Sequence, residues 1–132
     1  MNTVTIPEQK YGQLIPSDTI NLIAETIAER FSPEKIILFG SYASSNPNPD
    51  SDVDLMIIMH SDLPVHKRAV PILLTFQPMP CSMDILVYTP DEVMYWNGTL
   101  NHIITEVFKT GKVMYERTKN RNSKSMGQKS GK

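Results

Sequence analysis

Between Ser17 and Phe31 the apolar residues recur at three- and four-residue steps. Ile20, Ile23, Ala24, Ile27, Ala28 and Phe31 would share one side of a helix, with Ser17 or Asp18 as its N-cap and Ser32-Pro33 as its stop. The pattern then changes. "KIILF" (35–39) is short, apolar and bounded by Pro33 and Gly40, which reads as a buried strand, and "VDLMIIM" (53–59) reads as a second. "LPVHKRAVPILLTF" (63–76) is predicted helical, opened by Pro64 and limited or kinked by Pro71. "CSMDILVY" (81–88) is a third strand. Thr89 should cap a helix opened by Pro90, where Asp91 and Glu92 suit the positive N-terminal end. "LNHIITEVFKTG" (100–111) is a last helix, and "KVMYE" (112–116) a closing extended piece or helix end. The order α-β-β-α-β-α-α predicts an α/β domain, a small mixed sheet flanked by helices, with residues 1–16 irregular.

Two breaks in this pattern carry chemistry. Asp52 and Asp54 stand at the mouth of the second strand, and alternate residues of a strand point to one face. Two carboxylates so placed repel each other unless a cation lies between them, and hard oxygen ligands with positions left for phosphate suit Mg²⁺ or Mn²⁺. Asp84, within the apolar third strand, would join them if that strand lies beside the second. Three carboxylates on neighbouring strands suit a two-metal phosphoryl or nucleotidyl transfer. The other break is Gly40-Ser41, where a strand ends just before the short helical turn "SYASS". Gly40 permits close approach of a phosphate and Ser41 adds a hydroxyl donor. Blander readings stand beside these. The acids at 52 and 54 could be solvated strand-end charges, Asp84 could be paired with a Lys or Arg, and Ser41 could serve as a helix cap.

Length and charge narrow the classes. The 132 residues fit one domain, and no apolar run approaches the roughly 20 residues of a membrane helix. Nothing near the start resembles a secretory signal, and the single Cys81 permits no internal disulfide, so a reducing, cytoplasmic setting is expected. The net charge of −1 hides an asymmetry: residues 1–116 hold all 14 acids against 7 Lys and Arg, whereas 117–132 hold 6 basic residues and no acid. An acidic body argues against a general nucleic-acid surface, leaving the basic tail as the one place for such contact. The tail itself is expected to be disordered.

"GSYASSNPNPDSDVDL" (40–55) resembles the Gly-Ser … Asp-x-Asp signature of the DNA polymerase β-like nucleotidyltransferase superfamily, and among its members the minimal nucleotidyltransferases of prokaryotes. "IILFGSYA", "MDILVYTPDEV" and "TGKVMYE" extend the resemblance over about Ile20 to Glu116. It implies a nucleotidyltransferase domain at 1–116 and a tail at 117–132. It further implies that Gly40 and Ser41 hold the β,γ-phosphates of ATP or another nucleoside triphosphate. Asp52, Asp54 and Asp84 would bind two Mg²⁺ ions, with Asp84 taking the proton of the attacking hydroxyl. Small members of this type are commonly paired with a HEPN-domain protein, in some cases a toxic ribonuclease to which the transferase, as antitoxin, adds AMP. The resemblance thus implies an oligomer with such a partner and no membrane. Where the family usually has Arg-Gly, this chain has Ser44-Ser45, which bears on activity, and Lys67 or Arg68 could replace the missing cation. A module that neutralises its partner by contact alone is the alternative.

The remaining residues of note read more plainly. His60, His66 and His102 share no ligand spacing, and Met56, Met59, Met83, Met94 and Met114 read as core or interface filler. Tyr95 and Trp96 are expected in the core, with an exposed docking face as the other possibility, and Cys81 has no base near it in sequence.

Overall fold

A computed structural model describes residues 3–7 and 13–117. The first helix, α1, spans Ser17–Phe31, with Ile20, Ile23, Ala24 and Ile27 buried and Ala28 and Phe31 packed partly against the same core. Its N-cap is Pro16, one residue before the expected position, and no side chain caps it. The carbonyl of Pro16 accepts from the amides of Thr19 and Ile20 instead. Ser32 closes α1 in the left-handed region (φ 47°), donating to the Ala28 carbonyl, and Pro33 prevents a further turn.

Four strands follow: β1 (Lys35–Phe39), β2 (Val53–Ile58), β3 (Met83–Tyr88) and β4 (Lys112–Glu116). They form one mixed sheet in the order β3-β2-β1-β4. β1 is antiparallel to both β2 and β4, and β2 is parallel to β3. "KVMYE" is therefore a sheet strand rather than a helix end. Strand alternation splits the core into two layers. Ile36, Leu38, Val53, Leu55, Ile57, Ile85 and Val87 face the layer that α1 covers. Ile37, Met56 and Ile58 face the other, against Ile104 and Val107. β2 is buried on both sides, which is why its sequence is nearly continuous in apolar residues.

The stretch expected to be one helix at 63–76 is two short pieces, a 3₁₀ turn at Val65–Lys67 and the four-residue α2 at Val70–Leu73. Pro71 has no N–H, and its ring would clash with the Lys67 carbonyl in a continuous helix. The segment ends in Phe76, fully buried, which forms an isolated bridge with Val4 of the otherwise irregular N-terminal stretch.

After β3, α3 (Pro90–Trp96) opens as expected on Pro90. Thr89 Oγ1 accepts from the Glu92 amide, and the Glu92 carboxylate accepts from the Thr89 amide. The last helix, α4, begins only at Ile103 and runs to Thr110, because Asn101 adopts positive φ and His102 is the cap, its Nδ1 accepting from the Ile104 amide. Arg117, the first residue assigned to the tail, donates its amide to the Glu34 carbonyl and its guanidinium to the Ser32 carbonyl. The rest of that tail, 118–132, lies outside the described residues. Among the described residues no helix is long and apolar enough to cross a membrane.

Candidate active site

The layer of the sheet that α4 covers also carries the acids. Along β2 the side chains of Asp54, Met56 and Ile58 share this face; Met56 and Ile58 lie under α4, and Asp54 stands at the opposite, uncovered end. β3 runs parallel to β2 with Asp54 paired to Asp84, so two carboxylates are held side by side on strands about 4.8 Å apart. The amide of Val53 donates to the Ser82 carbonyl at 3.0 Å and locks the two strands together at this end. Asp52 precedes β2 directly. The loop delivering it is laced by short polar contacts: Asn48 Oδ1 accepts from the Asp50 amide (2.8 Å), and Ser51 Oγ from the Asn48 amide (3.1 Å).

The three acids act on one another. The Asp54 carboxyl is pushed up from its ordinary 3.8 to about 6, first by burial, then by the charges of Asp84 and Asp52. Asp52 and Asp84 are exposed, so the expected burial of Asp84 inside an apolar strand does not occur: it is the second residue of β3, where the strand emerges from the core. Nor, among the described residues, does an ion pair join it to Lys or Arg. The ion pairs among the described residues are Lys35–Glu116, His60–Glu34 and Arg68–Glu92.

Gly40 faces Asp54 from β1. Its φ is +74°, in the region side chains resist, and a Cβ there would collide with Asp54 Oδ2. The absence of that one carbon lets the carboxylate lie against the backbone where β1 ends. Gly40, Ser41 and Tyr42 then form a 3₁₀ turn whose N-cap is Phe39 with no side-chain cap bond, so Ser41 is not used as a cap. Ser44, standing where the resemblance expects Arg, donates its hydroxyl to the Ser41 carbonyl (3.0 Å), while its amide and that of Ala43 donate to the Gly40 carbonyl.

The structure bars one substitute cation. Arg68 is bound bidentately to Glu92 (2.7 and 3.2 Å) and donates to the carbonyls of Leu63 and Val87, at the far end of β3 from the acids. The arginine holds the Glu92 carboxyl below its ordinary range. Lys67 is exposed on the preceding turn. Cys81 does lie near the acids, a proximity that spacing alone did not show. Burial and then Asp52 push its thiol up to about 11, so it stays protonated and is no nucleophile.

A divalent cation fits the donor set. Oxygen ligands that repel one another without a counter-charge suit a hard cation. Among the described residues no three His, Cys, Asp or Glu are arranged so as to hold a metal ion, so the acids offer the ligand type without a formed ligand cluster.

The comparisons with known proteins bear on the family and the fold. The family described as "Polymerase beta, Nucleotidyltransferase" matches residues 21–120. Among solved structures, that of a candidate nucleotidyltransferase from Sulfolobus solfataricus superposes with a TM-score of 0.53 at 20% identity, covering 76% of this chain and 79% of that one, a likeness of fold. No curated protein matches the sequence. The family match spans both the Gly-Ser turn and all three acids, and the chain belongs to the polymerase β nucleotidyltransferase family.

Proposed function

We propose that this protein moves a nucleoside monophosphate, AMP in the first instance, from a nucleoside triphosphate to a hydroxyl of a partner protein. Asp52, Asp54 and Asp84 would hold Mg²⁺, and Gly40 and Ser41 would receive the β,γ-phosphates. The observation that carries this reading is the in-register pairing of Asp54 with Asp84 beside Asp52, with the Asp54 carboxylate against Gly40 and, among the described residues, no protein cation in an ion pair with it. In the reaction the acceptor oxygen bonds to the α-phosphorus, the bond from that phosphorus to the bridging oxygen breaks, and pyrophosphate leaves. Mg²⁺, when bound, neutralises the charge of the triphosphate and lowers the pKa of the acceptor hydroxyl. Asp84, exposed at the edge of the cluster, would take the acceptor's proton. Asp54, half-buried and in van der Waals reach of the turn, ties the carboxylate cluster to the phosphate side of the site.

A HEPN-domain protein in a cytoplasmic toxin–antitoxin pair is the acceptor that the sequence resemblance suggests. At the α3–α4 junction Met94, Tyr95 and Leu100 are 81%, 75% and 85% exposed, so Tyr95 is not the core residue expected and Met94, read as core or interface filler, is not in the core. This apolar patch is the surface a partner would cover. Trp96, 37% exposed, stacks on His102 at 4.6 Å. The second reading, neutralisation by contact alone, draws on the same surface and on Ser44, which brings no charge to the turn. The test is transfer of label from ATP radiolabelled at the α-phosphate, with the neighbouring gene product as acceptor. Label on the partner with the parent, and none with Asp52→Asn, supports transfer. A stable complex without label supports contact alone.

A further inference from the structure

The Gly40–Tyr42 turn is three residues long and cannot hold its own position. Among the described residues, the hydrogen bonds of residues 40–44 close within the segment, with one exception. The Gly40 carbonyl accepts from Ala43 and Ser44, and the Ser44 hydroxyl donates to Ser41; these bonds give the turn its shape and would move with it. The exception is long-range. The Tyr42 hydroxyl accepts from the backbone amide of Ile15 at 3.1 Å, across 27 residues of chain. Ile15 is 7% exposed, and the next residue, Pro16, caps α1. The Tyr42 ring meanwhile packs against the larger core layer.

We propose that Tyr42 is a positioning residue: through its hydroxyl it registers the Gly40-Ser41 turn against the entry of α1, and so fixes where a triphosphate is received. This rests on the reading of Gly40 and Ser41 as the phosphate side of the site. Tyr42 touches no substrate atom in this account. It acts through the backbone next to it. Removing the hydroxyl leaves the buried Ile15 amide without its acceptor and frees the turn to shift relative to Asp54, which a Gly40 displacement would feel at once.

The test compares the parent, Tyr42→Phe and, as a control for loss of a phenol elsewhere, Tyr115→Phe, on β4 and outside both the acid site and the α3–α4 surface. Each is measured for Mg²⁺-ATP affinity, for KM and kcat in transfer, for amide hydrogen exchange at residues 41–44, and for melting temperature. Tyr42→Phe is expected to raise the Kd and KM for Mg²⁺-ATP about three- to tenfold, the span of one lost hydrogen bond, with kcat little changed. Exchange at 41–44 should quicken in parallel, and Tyr115→Phe should match the parent. If Tyr42→Phe folds poorly, 3,5-difluorotyrosine at position 42, compared with the parent at about pH 6 where its phenol stays protonated, keeps the ring and weakens the acceptor, and should shift Kd and exchange the same way by less. An unchanged Kd, or a raised Kd with unchanged exchange at the turn, overturns the proposal. A parent that binds no Mg²⁺-ATP refutes the reading of the site, and the proposal with it, even where exchange shows the turn loosened.

Discussion

The Asp54 carboxyl keeps its proton up to about pH 6, through burial and then the charges of Asp84 and Asp52. The sign of the stability effect follows. The folded chain keeps this proton over a range in which the unfolded chain has lost it, so between about pH 4 and 6 the folded state binds more protons, and stability falls as pH rises through that window. Without divalent metal, the melting temperature should therefore drop from pH 4.5 to pH 7 by more in the parent than in Asp54→Asn, to a degree softened by solvent at so open a site. At pH 7 the Asn variant should be the more stable of the two. Saturating Mg²⁺ should flatten the parent's dependence, because a cation replaces the proton; thermal melts across pH with and without Mg²⁺ check this. Gly40 yields a second expectation. Gly40→Ala forces a side chain into a positive-φ position and against Asp54, at a cost of about 1–3 kcal/mol, with loss of transfer; denaturant melts and the radiolabel assay read the two effects. Both residues were legible as a pair of breaks in an apolar pattern. Their contact was not, since nothing local in a sequence says that the residue after β1 will lie under the second residue of β2.

Among the elements, legibility followed how much of each is decided locally. The stripe of α1 and the apolar runs of β1 and β2 declare themselves by period and by flanking Pro and Gly, and the structure has them where they were expected. α3 was equally plain because Thr89, Pro90 and Glu92 form its capping box within four residues. The 63–76 segment was misread because its apolar content suggested a helix while Pro71 forbade one. Arg68 was misassigned for a different reason: its partner Glu92 is 24 residues away, and only the fold brings them together. The turn from α4 into β4 shows a constraint of the same kind. Gly111 has an ordinary φ of −77°, yet a Cβ there would sit 2.6 Å from Ile37 Cγ2 and 2.6 Å from the Val107 carbonyl. Gly111→Ala should thus cost about 1–3 kcal/mol through overpacking alone, measured by urea denaturation, without altering the affinity for Mg²⁺-ATP if the sheet stays in register.

Taken whole, the molecule divides its smaller sheet face between two tasks. α4 covers one end, and the three acids with the Gly-Ser turn occupy the other, so that a core strand, β2, holds the chemistry rigidly. The acidic character of residues 1–116 suits a cation-borne triphosphate better than a bare polyanion, because the metal reverses the local sign. The central claim is that the carboxylate cluster binds nucleotide through a divalent cation. Calorimetric titration of ATP into the parent and into Asp54→Asn, with Mg²⁺ and again in EDTA, tests it most directly. The parent should bind ATP with Mg²⁺ and at least about tenfold more weakly in EDTA, and Asp54→Asn should lose the Mg²⁺-dependent gain. Binding as tight in EDTA as in Mg²⁺, or an Asn variant that responds to Mg²⁺ as the parent does, would contradict it.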